Sequence, residues 1–329
     1  MSPAITDVPG VLVGHAQDDE ALTGCTVVLT TAGAVGGVDV RGGGPGTRET
    51  DLLDPTANVS VVHAIALCGG SAFGLAAATG VVDWLRERDI GYPTRIRNVP
   101  IVPAAVIFDL GLGRADRWAD AALGYAACEA SGSSVAEGCV GVGAGASVGK
   151  LLGGENAVKS GVGTWSETLA DGTVIGALAV CNAMGDVYEQ VSGRIIAGAR
   201  DPRSGAFADS MALLRMPVFQ SAMSGMLSGE NTTLAVIATD ARLTKAEATK
   251  LAQMAQDALP RTIRPVHTSF DGDAVFALST GRRAYQHIAV LGAIAADVLA
   301  RAIERSVLLA TGAGGLPAAR PRERLEIGD

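Results

Sequence analysis

The sequence predicts a layered domain that mixes strands and helices, α/β or α+β, and three observations predict it. Apolar runs of strand length recur along the chain, capped helical stretches stand between them, and the two never settle into a regular βαβ repeat. The 329 residues suffice for one large domain or two ordinary ones, and 48% hydrophobic residues can fill a substantial core. Aromatic residues make up only 4% and glycine numbers 43. The core is therefore expected to consist of Ala, Val, Leu and Gly, with tight turns and close backbone approaches.

The first 115 residues read as short strands and Gly-rich turns around one helix. Residues 11–13 and 26–30 are strand-like, and 61–67 is a strong apolar strand. Gly69-Gly70-Ser71 follows, with Ser71 as the N-cap of a helix to about Arg88. Residues 104–108 form another strand and 114–130 a second helix. From Cys139 to Glu189 the strand pattern returns. There Ala170-Asp171-Gly172 turns the chain between Trp165 and the run 173–181, as in a hairpin. Residues 192–231 are rich in Arg, Ser, Met and Gly without steady periodicity, and 221–231 reads as an exposed linker. An apolar strand begins abruptly at Thr232 and runs to Thr239. Thr244-x-x-Glu247 is a capping box that opens a helix to about Leu259, with Pro260 as its stop. Residues 267–272 form a turn-rich connector, 274–278 a strand, and 283–309 a long helix closed by Gly312. The segment 317–329, rich in Pro, Arg and Glu, reads as a flexible tail.

The formal charge is −8, and the acidic excess lies before Thr232. No basic patch of the kind nucleic acids require is visible. The start of the chain lacks a cationic segment followed by an apolar run, so no signal peptide is expected. No uncharged apolar run reaches transmembrane length, so no membrane partner is expected either. The five cysteines are widely spaced, odd in number and free of C-x-x-C pairs. They read as buried free thiols in a reducing cytoplasm.

Two Gly-rich stretches, 41–47 and 141–149, lack the strand-turn-helix context of a phosphate loop and read as turns and packing positions. Asp271-Gly-Asp273 lacks the further ligands of a calcium loop, and His15, His63, His267 and His287 show no metal spacing. Each histidine reads as structural, and no metal or cofactor is expected. No Gly-x-Ser-x-Gly elbow supports a Ser-His-Asp triad. The sharper signal is Gly229-Glu230-Asn231-Thr232-Thr233, where a polar segment meets a buried strand. Cleavage before Thr232 would give one residue both a hydroxyl and a free α-amine. An α-amine, with a reference pKa of about 7.7–8.0, can act as a base near neutral pH. Asn-Thr-Thr occurs in many ordinary loops, so the junction alone does not single out this chemistry.

Beyond that junction, ordered matches extend over nearly the whole chain. They include Gly10-Val-Leu-Val-Gly-His15, Asp39-Val-Arg-Gly-Gly-Gly44, Leu67-Cys-Gly-Gly-Ser-Ala-Phe-Gly-Leu75 and Val102-Pro-Ala-Ala-Val-Ile-Phe-Asp109. They continue through Gly143-Ala-Gly-Ala-Ser-Val-Gly-Lys150, Asn231-Thr-Thr-Leu234 and His267-Thr-Ser-Phe-Asp-Gly-Asp273. In these the chain resembles the DmpA-type aminopeptidases, a family that includes β-aminopeptidases and the nylon-oligomer (6-aminohexanoate) hydrolase. The resemblance implies a four-layer αββα sandwich, also found in the ornithine acetyltransferases. It implies one autoprocessed catalytic domain over residues 1–316, cut into fragments 1–231 and 232–329 that stay associated, commonly as a homotetramer. It implies an amide hydrolase for small peptides, β- or D-amino acid amides or 6-aminohexanoate oligomers, with Thr232 as nucleophile. Asp271 and Asp273 would orient the Thr232 amine, and one of them is expected to hold a proton. Lys150 would stabilise negative charge or assist proton transfer, and Asn182 would donate to the oxyanion. Phe108 and Thr233 would line the pocket. Phe108 departs from the family, whose characterised members carry a Tyr hydroxyl there. Acyl transfer of the ornithine acetyltransferase type, or an inactive binding scaffold, are the alternative readings.

Overall fold

The computed structural model describes residues 2–219, 230–285 and 287–319. The linker expected at 221–231 lies outside these residues except for Glu230 and Asn231, as does the tail from residue 320 onward. The strands that carry the architecture are β1 (Leu12–Asp18), β2 (Thr23–Val40), β3 (Val62–Cys68), β4 (Ala104–Val106), β5 (Val162–Thr168), β6 (Val174–Asn182), β7 (Thr232–Ala241) and β8 (Ala274–Arg283). The main helices are α1 (Ala77–Glu87), α2 (Ala121–Glu129), α3 (Lys245–Ala255) and α4 (Ile288–Leu308). The strands lie in the order β5-β6-β7-β8-β2-β3-β4, with β1 also pairing on β2. The pairs β7/β8 and β3/β4 are parallel.

Two periodicities build the layers. Along β7, Leu234, Val236 and Ala238 face a central core, while Ala235, Ile237 and Ala241 face α3 and α4. Along β3, Ile65 and Leu67 face that same central core, while Ala64, Ala66 and Cys68 pack with Val81 and Leu85 of α1 and Ala127 of α2. Side chains alternate across a strand, so each half of the sheet is buried on both sides. The result is helix, sheet, sheet, helix, as expected. The strand β2 serves both halves. Its first part pairs with β3, residues 35–40 pair with β8, and the register shifts between Leu29 and Ala34. Gly33, at φ +84°, supplies the backbone freedom that this irregularity needs.

The 170–172 turn joins β5 to β6 with Trp165 opposite Ala177, as the alternation predicts. The capping box also forms: Thr244 accepts from the Glu247 N–H, and the Thr244 N–H donates to the Glu247 carboxylate at 2.8 Å. Several boundaries differ from the expectation. Ser71 is no N-cap: it sits at φ +53° in a 3-10 turn, Ser71–Ala76, and the α-helix begins only at Ala77. The second helix starts at Ala121, because Asp120 accepts the Leu123 N–H at 3.0 Å. Residues before it are tied by ion pairs of Arg114 and Arg117 to Glu20. Pro260 does not stop a helix. The helix α3 ends at Ala255, and Pro260 occupies the first turn of a separate short helix, Ala258–Thr262, where no N–H partner is needed. The expected tail is anchored at its start: Pro317 accepts the Lys159 N–H at 2.9 Å, and Ala319 is buried.

Candidate active site

Thr232 is the first residue of β7, buried in the middle of the sheet. It stands opposite Asn182 at the end of β6 on one side. On the other side the parallel strand β8 is entered through Asp271-Gly272-Asp273, with Asn231 bridging Asp271. The sheet therefore brings Asn182, Asn231, Thr232, Asp271 and Asp273 together.

The bond between Asn231 and Thr232 is held on both sides. The Thr232 Oγ1 hydroxyl donates to the Asn231 carbonyl oxygen at 2.5 Å, and the Gly272 N–H donates to the same oxygen at 2.8 Å. Gly272 has to be glycine: a Cβ there would stand 2.8 Å from Thr232 Oγ1. Asp273 Oδ1 accepts the Thr233 N–H at 2.7 Å. Asp271 Oδ2 accepts from the Thr268 N–H and hydroxyl at 2.7 and 2.6 Å. Burial, then the charge of Asp273, raises the Asp271 carboxyl above its usual range.

Lys150 reaches the same place from the other side. Its Nζ donates to Asn182 Oδ1 at 2.8 Å, to the Asn182 carbonyl at 3.0 Å and to the Glu230 carbonyl at 3.2 Å. Burial pushes its pKa down to about 7, against the opposing pull of nearby acidic groups. No acid pairs with it directly among the described residues. Asn182 Nδ2 donates to the Phe108 carbonyl at 2.9 Å, and its Oδ1 also accepts the Ser147 N–H. Two small cavities meet at Lys150, Gly154 and Glu230. One, about 110 Å³, is lined by Phe108, Asp109, Ser147 and Leu316 as well. The other, about 190 Å³, reaches Asn231, Met184 and Phe270. Thr233 lines neither: it is fully buried with its hydroxyl 3.8 Å from Cys181 Sγ, and it serves the site through its backbone N–H.

Three features of the site are not evident in the sequence. The glycines of 41–47 form the wall behind the aspartates. Gly44 N–H donates to the Asp271 carbonyl at 2.8 Å, and a Cβ on Gly42 would lie 2.3 Å from that carbonyl oxygen. Asp109 is a buried acid held by Thr23 and Gly70, with its pKa raised to about 6 by burial. His267, read as structural, contacts Asp273 through both its backbone N–H and its ring. Only the run of three glycines was visible as a signal, and its partners are remote in sequence. Among the described residues no group of three or more His, Cys, Asp or Glu is placed to hold a metal ion. Four cysteines are buried, Cys139 is partly exposed, and all five are free.

The model for peptidase family S58 matches residues 3–319. The chain belongs to peptidase family S58. As a member it is a hydrolase of amide bonds. It is 45% identical over 347 residues to an uncharacterised aminopeptidase of Mycobacterium bovis, covering 96% of this chain and 97% of that one. It is 33% identical over 312 residues to the 6-aminohexanoate-oligomer endohydrolase of Kocuria sp., covering 89% and 82%. A Burkholderia sp. beta-aminopeptidase superposes with a TM-score of 0.68 at 24% identity, over 97% and 91% of the two chains. The L-aminopeptidase D-Ala-esterase/amidase of Ochrobactrum anthropi, described as a variant of the Ntn hydrolase fold, gives 0.69 at 19% identity over 98% and 92%. These two structural likenesses carry the fold of this S58 member. Among its described residues no helix is long and apolar enough to cross a membrane.

Proposed function

We propose that this S58 hydrolase cuts its own chain between Asn231 and Thr232 and then uses Thr232 as an N-terminal nucleophile. The observation that carries this reading is the double engagement of the Asn231 carbonyl, by the Thr232 hydroxyl at 2.5 Å and the Gly272 N–H at 2.8 Å. In self-cleavage Thr232 Oγ1 bonds to the Asn231 carbonyl carbon, and its proton passes to the departing Thr232 nitrogen. Negative charge gathers on the Asn231 oxygen, where Gly272 N–H meets it; such donors contribute about 100- to 1000-fold in turnover. The C–N bond breaks, leaving an ester. Water then hydrolyses it to an Asn231 carboxylate and a Thr232 with free hydroxyl and amine.

In turnover the freed amine takes the hydroxyl proton as Oγ1 attacks a substrate amide carbonyl. The leaving amine departs with that proton, and water releases the acyl group. Lys150, with a pKa near 7, is suited to exchanging a proton at neutral pH, and Asn182 has a second amide hydrogen for the oxyanion. Asp271 and Asp273 orient the Thr232 amine. The relatives' names point to short substrates: terminal aminoacyl groups, or linear oligomers of 6-aminohexanoate. Phe108, lacking a hydroxyl, contributes no side-chain hydrogen-bond donor to the cavity it lines with Lys150.

The test is a denaturing gel of wild type beside Thr232→Ala, with N-terminal sequencing of each band. Wild type is expected to give two bands, the smaller beginning at Thr232, and the variant one band without hydrolytic activity. A wild type that stays whole on long incubation, or an active Thr232→Ala, sinks the reading.

A further inference from the structure

We propose that His267 is a positioning residue of this reaction, which fixes the Asp273 carboxyl group against the β7 backbone beside Thr232. The inference rests on the reading of Thr232 as nucleophile and goes beyond it by naming what holds one of the acids beside it.

The geometry is specific. Asp273 is 1% exposed, and three N–H groups converge on it. Oδ1 accepts from Thr233 N–H at 2.7 Å; Oδ2 accepts from the His267 backbone N–H at 3.1 Å and the His267 Nδ1 at 2.9 Å. Asp271 has a different environment: its Oδ2 faces the Thr268 N–H and hydroxyl, and burial together with the charge of Asp273 favours the neutral acid. His267 is the partner that holds Asp273 through two contacts, one from its backbone and one from its ring.

The backbone is shaped for this contact. His267 has φ +56°, a conformation side chains rarely adopt, and it turns the residue so that backbone N–H and ring nitrogen reach one carboxylate oxygen. The other ring nitrogen, Nε2, is buried without a hydrogen-bond partner among the described residues. The ring's one anchored contact is therefore Asp273. Among the described residues, Lys150 and Glu230 lie on the far side of Thr232, and the buried thiol of Cys181 lies beside Thr233. The hydrogen bonds of Lys150 go to Asn182 and to the Glu230 carbonyl, and that of Cys181 to Thr233.

Two variants test the role without straining the turn, since Gly and Asn both tolerate positive φ. His267→Gly removes the ring, and His267→Asn replaces it with an amide N–H donor of similar reach. Both are assayed as cleaved protein with β-alanyl-p-nitroanilide, beside wild type. In His267→Gly, kcat is expected to fall about 10- to 100-fold, no more than the lower range for losing a direct proton-transfer group, with KM within about twofold. His267→Asn should recover most of kcat. An unchanged kcat in His267→Gly overturns the proposal, as does an equal loss of kcat in both variants. A wild type that neither cleaves itself nor needs Thr232 removes the underlying reading instead, and the wild-type lane shows this separately.

Discussion

At the residue scale, the site depends on groups held in states they do not favour in water. Lys150 is pushed toward neutrality, and Asp109 and Asp271 toward protonation, all mainly by burial. For Asp109 the sign is definite. Its folded pKa, about 6, lies above the ordinary aspartate value, so the folded state binds more protons between about pH 4 and 6. That contribution is greatest at the acid end and is lost as pH rises through about 6. Asp109→Asn keeps an acceptor for the Gly70 N–H and can donate to Thr23 Oγ1. Urea midpoints from pH 4 to 7 should show a shallower decline in this variant, by up to about 1.4 kcal/mol for each pH unit between 4 and 6; an identical slope refutes the assignment. Gly272 gives a sharper steric prediction. Gly272→Ala places a methyl against Thr232 Oγ1, so the chain should remain one band on a gel while its circular dichroism stays that of wild type. Normal cleavage in this variant contradicts the arrangement described. The sequence exposed Thr232 because its signal is local, a polar run meeting an apolar strand. It hid His267 because a histidine's role depends on a backbone angle that composition does not reveal.

At the element scale, propensity and capping decided most helices and tertiary contacts decided their ends. Thr244-x-x-Glu247 was legible because a capping box is a contact between neighbours in sequence. Thr244→Ala should cost about 1 kcal/mol, read from the shift of the urea midpoint, with kcat unchanged; a loss below about 0.3 kcal/mol would show the cap to be dispensable. The start of α2 was misread because residues before Asp120 carry helix-compatible side chains whose guanidinium groups bind Glu20 instead. The close fit of α1 on α2 also escaped the pattern. It depends on Gly80 and Gly124, where a Cβ would come within 1.8 Å of the Ala121 carbonyl oxygen and 1.9 Å of the Ala77 carbonyl oxygen.

At the scale of the whole molecule, the strand order carries the main consequence for a cleaved enzyme. The strands β7 and β8 follow the junction in sequence, yet they lie between β6 and β2, which precede it. Both of their outer edges are hydrogen-bonded to strands that precede Asn231, and their faces fill two cores. The fragments 1–231 and 232–329 are thus expected to co-elute on gel filtration after cleavage and to separate only in denaturant, with one cooperative unfolding transition. Fragments that part in native buffer would contradict this order.

The sequence by itself determined the layered class, the alternation of the buried strands, the capping box and the placement of Thr232 at the head of an apolar strand. These are properties of residues within a few positions of one another. Only the tertiary structure decided which side chains surround that threonine. Asn182 comes to it across a strand pairing and brings Lys150 with it, while Gly42 and His267 reach the aspartates beside it by close backbone approach and one unusual backbone angle, and such contacts leave no periodic trace along the chain.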